Sequence, residues 1–247
     1  MKTNGNTIFI TGGNAGIGRA LAGALHAKGN KVIIAGRRQE ALDDVAAANP
    51  GIETVVLDMT DAGAIRDVAA RAVADFPALN IVIQNAGIMQ AEDVAADGWS
   101  TDIAEATIAT NLLGPIRLTA ALLPHLKTKE AATIMTVSSG LAFIPLVATP
   151  SYCATKAAIH SWSQSMRTQL AGTGVEVIEL APPGVATDLM PGHAENPRSM
   201  PLAEFTAEVM ALLEQGGDEI LVERVKPLRF AEANGSYPQV YQMLNAS

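Results

Sequence analysis

Thr7-Ile8-Phe9-Ile10-Thr11-Gly12-Gly13-Asn14-Ala15-Gly16-Ile17-Gly18 is the stretch on which the fold turns. Its apolar, β-branched start reads as a strand, and the residues from about 16 to 28 have the apolar spacing of a helix. The glycines between them predict a tight turn. The same alternation runs on through the chain. Strands are expected at 7–10, 32–35, 54–57, 81–83, 133–137, 175–180 and 219–222, with helical patterns at about 16–28, 38–48, 61–75, 99–125, 150–171 and 202–215. Repeated strand-helix-strand units predict an α/β fold, with a parallel sheet of seven strands and helices on both faces. The strand runs are almost wholly apolar, as expected of strands covered on both sides.

This is a doubly wound, Rossmann-like arrangement in a single domain over residues 1–247, and no linker, repeat or low-complexity segment divides it. In such sheets ligands bind beyond the carboxyl ends of the strands, which places the loops after Ile10, Ala35, Leu57, Ile83, Val137 and Leu180 around one crevice. A glycine turn opening a helix lets the backbone approach a pyrophosphate at the helix's positive end. Gly12, Asn14, Ala15, Gly16, Ile17 and Gly18 are therefore candidates for dinucleotide binding. At the end of the second strand, where a carboxylate would grip an unmodified ribose, stand Gly36, Arg37 and Arg38. Two guanidiniums suit a 2′-phosphate, so NADP(H) is the favoured cofactor. NAD(H) stays open if the arginines merely solvate a helix start.

A second group of residues carries chemistry. Tyr152 and Lys156 lie four apart in Ser151-Tyr152-Cys153-Ala154-Thr155-Lys156, which sets phenol and ammonium on one helix face. A cation near a phenol, whose ordinary pKa is about 10, favours the phenolate and makes the pair a candidate acid-base. Pro115 has no N–H to return to the carbonyl of Asn111, so a continuous helix there leaves that carbonyl open to a water.

Composition narrows the partners. The chain of 247 residues is 49% hydrophobic with a formal net charge of −8, its 25 acidic residues outnumbering 17 scattered basic ones. No face is suited to a nucleic-acid backbone. The N-terminus lacks the order of a signal peptide, and the apolar run 131–150 is broken by Ser138, Ser139, Gly140 and Pro145, so neither export nor a membrane span is expected. A cytoplasmic protein is the expectation. The single cysteine, Cys153, excludes an internal disulfide and reads as a packed small residue. The four histidines show no metal-ligand spacing, and no metal is expected.

The glycine turn, with Ser139 thirteen residues before Tyr152 and Lys156 four after it, resembles the short-chain dehydrogenase/reductase family over nearly the whole chain. The resemblance implies that Tyr152 exchanges a proton with the substrate oxygen, that Lys156 lowers the phenol's pKa and binds the nicotinamide ribose, and that Ser139 rather than Ser138 steadies the substrate oxygen. It makes Asn111 the fourth catalytic residue. Asp58 with Met59 matches the family's adenine site, and Asn85-Ala86-Gly87 its Asn-Ala-Gly, with Gln84 in place of the preceding asparagine. Pro182, Gly184, Val185 and Thr187 match the loop around the nicotinamide, where Pro183 replaces a glycine. The runs Asn111–Thr119 and Leu180–Pro183 are similar to the group of oxidoreductases named for D-alanine and teichoic-acid operons. The family also implies a homodimer or homotetramer.

The segment 188–200 falls where the family keeps a substrate lid, which makes Met190, His193 and Met200 candidate substrate contacts. Leu141, Phe143, Pro145 and Leu146 suggest an apolar wall beside Ser139. An apolar pocket with one polar focus suits a hydrophobic or aromatic ketone, aldehyde or secondary alcohol. The expected activity is hydride transfer between NAD(P)(H) and such a molecule. Two other readings stand beside it: a cofactor-sensing regulator without chemistry, and a reductase of carrier-bound acyl chains, for which Arg198 is the one suitably placed base.

Overall fold

Every residue of β1 (Thr7–Thr11) is buried, with Ile8 and Ile10 in the core on one face of the sheet and Phe9 in the core on the other. The computed structural model describes residues 1–192 and 194–246. Its strands continue as β2 (Lys31–Gly36), β3 (Glu53–Val56), β4 (Leu79–Gln84), β5 (Ala132–Val137), β6 (Val175–Leu180) and β7 (Glu219–Ile220). All are parallel, in the order β3-β2-β1-β4-β5-β6-β7. The winding reverses between β1 and β4, which opens a crevice at their carboxyl ends.

Helices α1 (Gly16–Ala27), α2 (Gln39–Ala48) and α7 (Leu202–Gln215) pack on the face of Ile8 and Ile10 through Leu21, Leu25, Leu42, Val45, Phe205 and Val209. The opposite face takes α3 (Ala62–Asp75), α5 (Gly114–Leu126) and α6 (Pro150–Gln169) through Ile65, Val68, Leu118, Leu122 and Met166. The expected seven-stranded, doubly wound sheet is therefore what the chain forms.

Three differences from the sequence reading have physical causes. The single helix expected at 99–125 is α4 (Asp102–Ile108), a wide π-turn over Ala109–Leu113, and α5. Pro115, at the start of α5, cannot donate to the carbonyl four residues back, and the Gly114 N–H returns to Ala109 instead. β7 stops at Ile220 because the next donor from the β6 side, after Glu179 and Ala181, would be Pro183, which has none. The C-terminal helices α8 (Lys226–Arg229) and α9 (Tyr237–Asn245) were not foreseen, although each has a proline in its first turn. The run Asp102–Leu126 is long and apolar enough to cross a membrane by composition, yet Leu118, Leu122 and Leu126 are fully buried in the protein core.

The turn after β1 requires glycine. A Cβ on Gly18 would lie 2.3 Å from the Gly12 carbonyl oxygen and 2.4 Å from Asn85 Nδ2, whereas one on Gly23 would meet only Asn49 Oδ1 at 3.5 Å. Gly18→Ala is expected to cost about 1–3 kcal/mol through overpacking, lowering the melting temperature by about 2–12 °C. Gly23→Ala, in a helix interior with room for the methyl, is expected to raise it by about 1–4 °C. Thermal unfolding of the two variants beside the parent checks this, and equal shifts would contradict the close approach at Gly18.

Candidate active site

Gly12 (φ +67°) and Gly16 (φ +50°) hold the left-handed backbone of the glycine turn. Asn85 Nδ2 donates to the carbonyls of Thr11 (3.1 Å) and Gly12 (3.2 Å), while Thr11 Oγ1 accepts from the N–H groups of Asn85 and Ala86, both at 3.1 Å. The end of β4 is thus tied to the turn after β1. The N-cap of α1, Ala15, offers no side-chain acceptor, and no acid stands in the first turn. By contrast, Asp61 caps α3 through the N–H groups of Gly63 and Ala64. An uncapped positive end is what a pyrophosphate requires.

The turn opens on a cavity of about 1180 Å³ that reaches from Arg37 and Arg38, through Asp58 and Met59, to Ser139 and Tyr152. Gly12, Asn14, Ala15, Gly16 and Ile17 line it, as do Asn85, Ala86, Gly87, Lys156, Pro182, Gly184, Val185 and Thr187. Gly18 does not; it packs behind the turn against Gly12 and Asn85. Asp58 Oδ1 accepts from the Thr60 N–H and Oγ1, both at 2.8 Å, which fixes its carboxylate at the rim. Met59 is buried and packs against Gly114. A Cβ on Gly36 would lie 2.5 Å from Asn14 Oδ1, so no acidic side chain fits there beside Asn14. These features accommodate a dinucleotide, with the two arginines at one end and the hydroxyl groups at the other.

Tyr152 and Lys156 are both buried on α6, with the ammonium 5.5 Å from the phenol ring centroid. Lys156 Nζ donates to the carbonyl of Val137 at 2.8 Å. The Ser139 hydroxyl faces the phenol closely enough to favour its charged form, and it accepts from the Leu141 N–H at 3.1 Å. Ser138 points elsewhere, to Glu179. Burial pushes the phenol up to about 12, with the Ser139 hydroxyl working against it, and pushes Lys156 down to about 8, with the charge of Glu179 opposing. In this state of the protein burial governs the phenol, and no effect of Lys156 on it is resolved. At neutral pH the tyrosine holds its proton. It is in the donor form.

Asn111 is buried in the π-turn but does not line the cavity. Its Oδ1 accepts from the Ile88 N–H and its Nδ2 donates to the Ile88 carbonyl, both at 2.9 Å, with a longer contact to Thr155 Oγ1 at 3.4 Å. A Cβ on Gly87 would lie 3.3 Å from Asn111 Oδ1 and 3.8 Å from Lys156 Nζ, so the missing side chain lets the two approach. Gln84, at the preceding family position, donates to the Pro115 carbonyl and to Thr119, fastening β4 to α5.

On the substrate side Leu141, Leu146 and Met190 pack with Met89, Tyr152 and Cys153 into an apolar cluster that borders the cavity. Phe143 is not part of this wall; its ring meets His160 edge-on at 4.8 Å and carries the Arg229 guanidinium at 4.8 Å. Pro145 is likewise outside it, and its carbonyl accepts from Asn245 on α9. Met200 sits in the core, where its backbone pairs with Gly184 and Ala186, and it does not line the cavity. His193 lies outside the described residues. Arg224, Leu228 and Leu244, from the unforeseen C-terminal segments, line the cavity together with Arg198. Cys153 is buried, its thiol pKa raised by burial, which leaves it unreactive.

A profile of the short chain dehydrogenase family matches residues 6–197. The uncharacterized oxidoreductase DltE of Bacillus subtilis (strain 168) is 38% identical over 249 residues, spanning 99% of this chain and 98% of that protein, in agreement with the operon group that the sequence resembles. A short chain dehydrogenase from Burkholderia cenocepacia J2315, solved in complex with NADP, superposes with a TM-score of 0.84 at 26% identity, covering 100% of both chains. A 3-oxoacyl (acyl-carrier-protein) reductase from Agrobacterium tumefaciens C58 with NADP bound aligns with a TM-score of 0.77 at 25% identity, over 88% of this chain and 92% of that one. The profile, the full-length relative and the shared architecture lead to one statement of kinship: this chain belongs to the short chain dehydrogenase family.

Proposed function

We propose that the protein is an NADP(H)-preferring oxidoreductase that interconverts a ketone or aldehyde and the corresponding alcohol. One observation carries the reading: Ser139, the Tyr152 phenol and Lys156 line the apolar end of the cavity whose other end is the glycine turn. A bound nicotinamide supplies or accepts the hydride. Gly12 to Ile17 and the open N-terminus of α1 hold its pyrophosphate, Arg37 and Arg38 the 2′-phosphate, and Lys156 the ribose nearest the reaction. Tyr152 gives its proton to the carbonyl oxygen, and Ser139 stabilises the charge that grows there. Asn111, held at Ile88, keeps a path from Lys156 to solvent through its backbone carbonyl. Leu141, Leu146, Met89 and Met190 exclude water and favour an apolar or aromatic group. Similar structures hold NADP in two cases and NADH in another, which supports a nicotinamide cofactor, while the preference for NADP rests on Arg37 and Arg38. A homo-oligomer joined through the helices flanking the π-turn, where Ile108 and Leu113 are exposed, belongs to the same reading.

Arg198 and Arg224 favour a second substrate class, carbonyl compounds bearing an anionic group, which includes carrier-bound acyl chains. A panel of neutral ketones, keto acids and acyl thioesters, assayed with NADPH and NADH, separates the two classes. Tyr152→Phe is expected to keep cofactor binding and lose about 10²–10⁴-fold in turnover. A parent protein that binds cofactor but turns over nothing in the panel would instead be a sensor.

Replacing Arg37 and Arg38 together by alanine is expected to raise the KM for NADPH by at least about tenfold and leave that for NADH nearly unchanged. Equal effects on the two cofactors would remove the argument for the 2′-phosphate. In the direction of carbonyl reduction, kcat/KM is expected to fall as pH rises through about 8, where Lys156 loses its charge, while Tyr152 stays protonated. A reduction rate that climbs through that pH would contradict these roles.

A further inference from the structure

Three consecutive residues at the carboxyl end of β5 each hold a different partner. The Val137 carbonyl accepts from Lys156, the Ser138 hydroxyl donates to Glu179 Oε1 at 2.5 Å, and the Ser139 hydroxyl meets Tyr152. Backbone bonds from Ser138 N–H to Leu180 and from Gly140 N–H to Pro182 bind the same turn to β6, the strand that carries Glu179. Glu179 is fully buried, and no step of the proposed reaction uses it. A buried carboxylate is costly unless hydrogen-bonded and balanced by opposite charge.

Glu179 has partners on every element packed against it. From α6, His160 Nδ1 lies 2.8 and 3.0 Å from its two oxygens, and the Lys156 ammonium feels its charge; from β5 comes Ser138. Arg229 of α8 lies within its field, and Glu219 of β7 stands close by. His160, Glu179 and Glu219 bring their ligand atoms within 4.8 Å of one another, but Arg229 takes both oxygens of Glu219, at 2.8 and 3.0 Å. The group is a chain of hydrogen bonds and charges.

We propose that Glu179 is a positioning residue of the active site: through the Ser138 hydroxyl it fixes the turn that presents Ser139 to the cavity and the Val137 carbonyl to the Lys156 ammonium, and its negative charge favours that ammonium. The proposal rests on the reading that Ser139, Tyr152 and Lys156 act on the substrate. The position of Lys156 supports it, since burial drives that ammonium toward neutrality and Glu179 is the charge that resists.

The test separates charge from shape and needs no substrate for its first arm. Lysine labelled with ¹³C at Cε is titrated by NMR in the parent, in Glu179→Gln, which keeps size and hydrogen bonding, and in Ser138→Ala, the Lys156 signal being assigned by its loss in Lys156→Met. Glu179→Gln is expected to lower the Lys156 midpoint by about one unit. Ser138→Ala is expected to leave the midpoint unchanged and to lower kcat for carbonyl reduction about tenfold at unchanged KM for cofactor. A folded Glu179→Gln protein with an unmoved midpoint, or a Ser138→Ala protein with the parent's kcat, would overturn the proposal. If Glu179→Gln does not fold, Glu179→Asp decides: retracting the carboxylate is expected to move the midpoint and lower kcat, and parental values of both overturn the proposal. Failure of the parent to turn over any substrate would defeat the proposed reaction while the titration still reports on Glu179.

Discussion

Burying the Lys156 ammonium is the constraint around which the catalytic end of the molecule is built. An ion of that size costs several kcal/mol to remove from water unless neighbouring groups replace the lost hydration. Here the Val137 carbonyl accepts one hydrogen bond, Glu179 supplies opposite charge from β6, and the bare backbone of Gly87 leaves room beside the ammonium. Asn111 flanks the same Gly87 and in turn grips Ile88. The loops after β4 and β5, the strand β6 and α6 thus each send a group toward this one charge, and Ser139 and Tyr152 line the cavity beside it.

What could be read in the sequence was what local rules determine. Strand and helix periodicity is a property of neighbouring residues, and it placed all seven strands and six of the main helical segments. The glycine turn was legible because only glycine permits that backbone, and Pro115 announced a disturbed helix because it lacks a donor. The form of the disturbance was not legible, since a kink and a wide turn satisfy the same missing bond. Nor were the directions in which burial moves Tyr152 and Lys156, because desolvation depends on how many layers cover the pair. Glu179 and His160 were hidden for the same reason. Nineteen positions separate them in the chain, and only the packing of α6 on β6 brings them together. The C-terminal lining escaped because α8 and α9 are short, and their apolar residues are too few to show a period.

The two ends of the cavity are specified by opposite means. At the arginine end specificity comes from exclusion: Asn14 fills the space that a carboxylate at position 36 would need. At the tyrosine end it comes from assembly, with Asn245 of α9 bonding the Val147 N–H at 2.7 Å and the Pro145 carbonyl at 3.1 Å beside the apolar wall. Exclusion needs one neighbour, whereas assembly draws on segments a hundred residues apart.

The wide turn over Ala109–Leu113 amounts to one extra residue threaded into a helix. An unbroken α-helix has a single phase, so one stripe faces the same neighbour from end to end. The extra residue resets that phase, and the rod serves two neighbours: α4 and the wide turn lie against α6, whereas α5 turns Leu118 and Leu122 toward α3 and the sheet. A single-residue deletion within this stretch would bring the rod back into one register, satisfying either the core or the Asn111 clamp but not both.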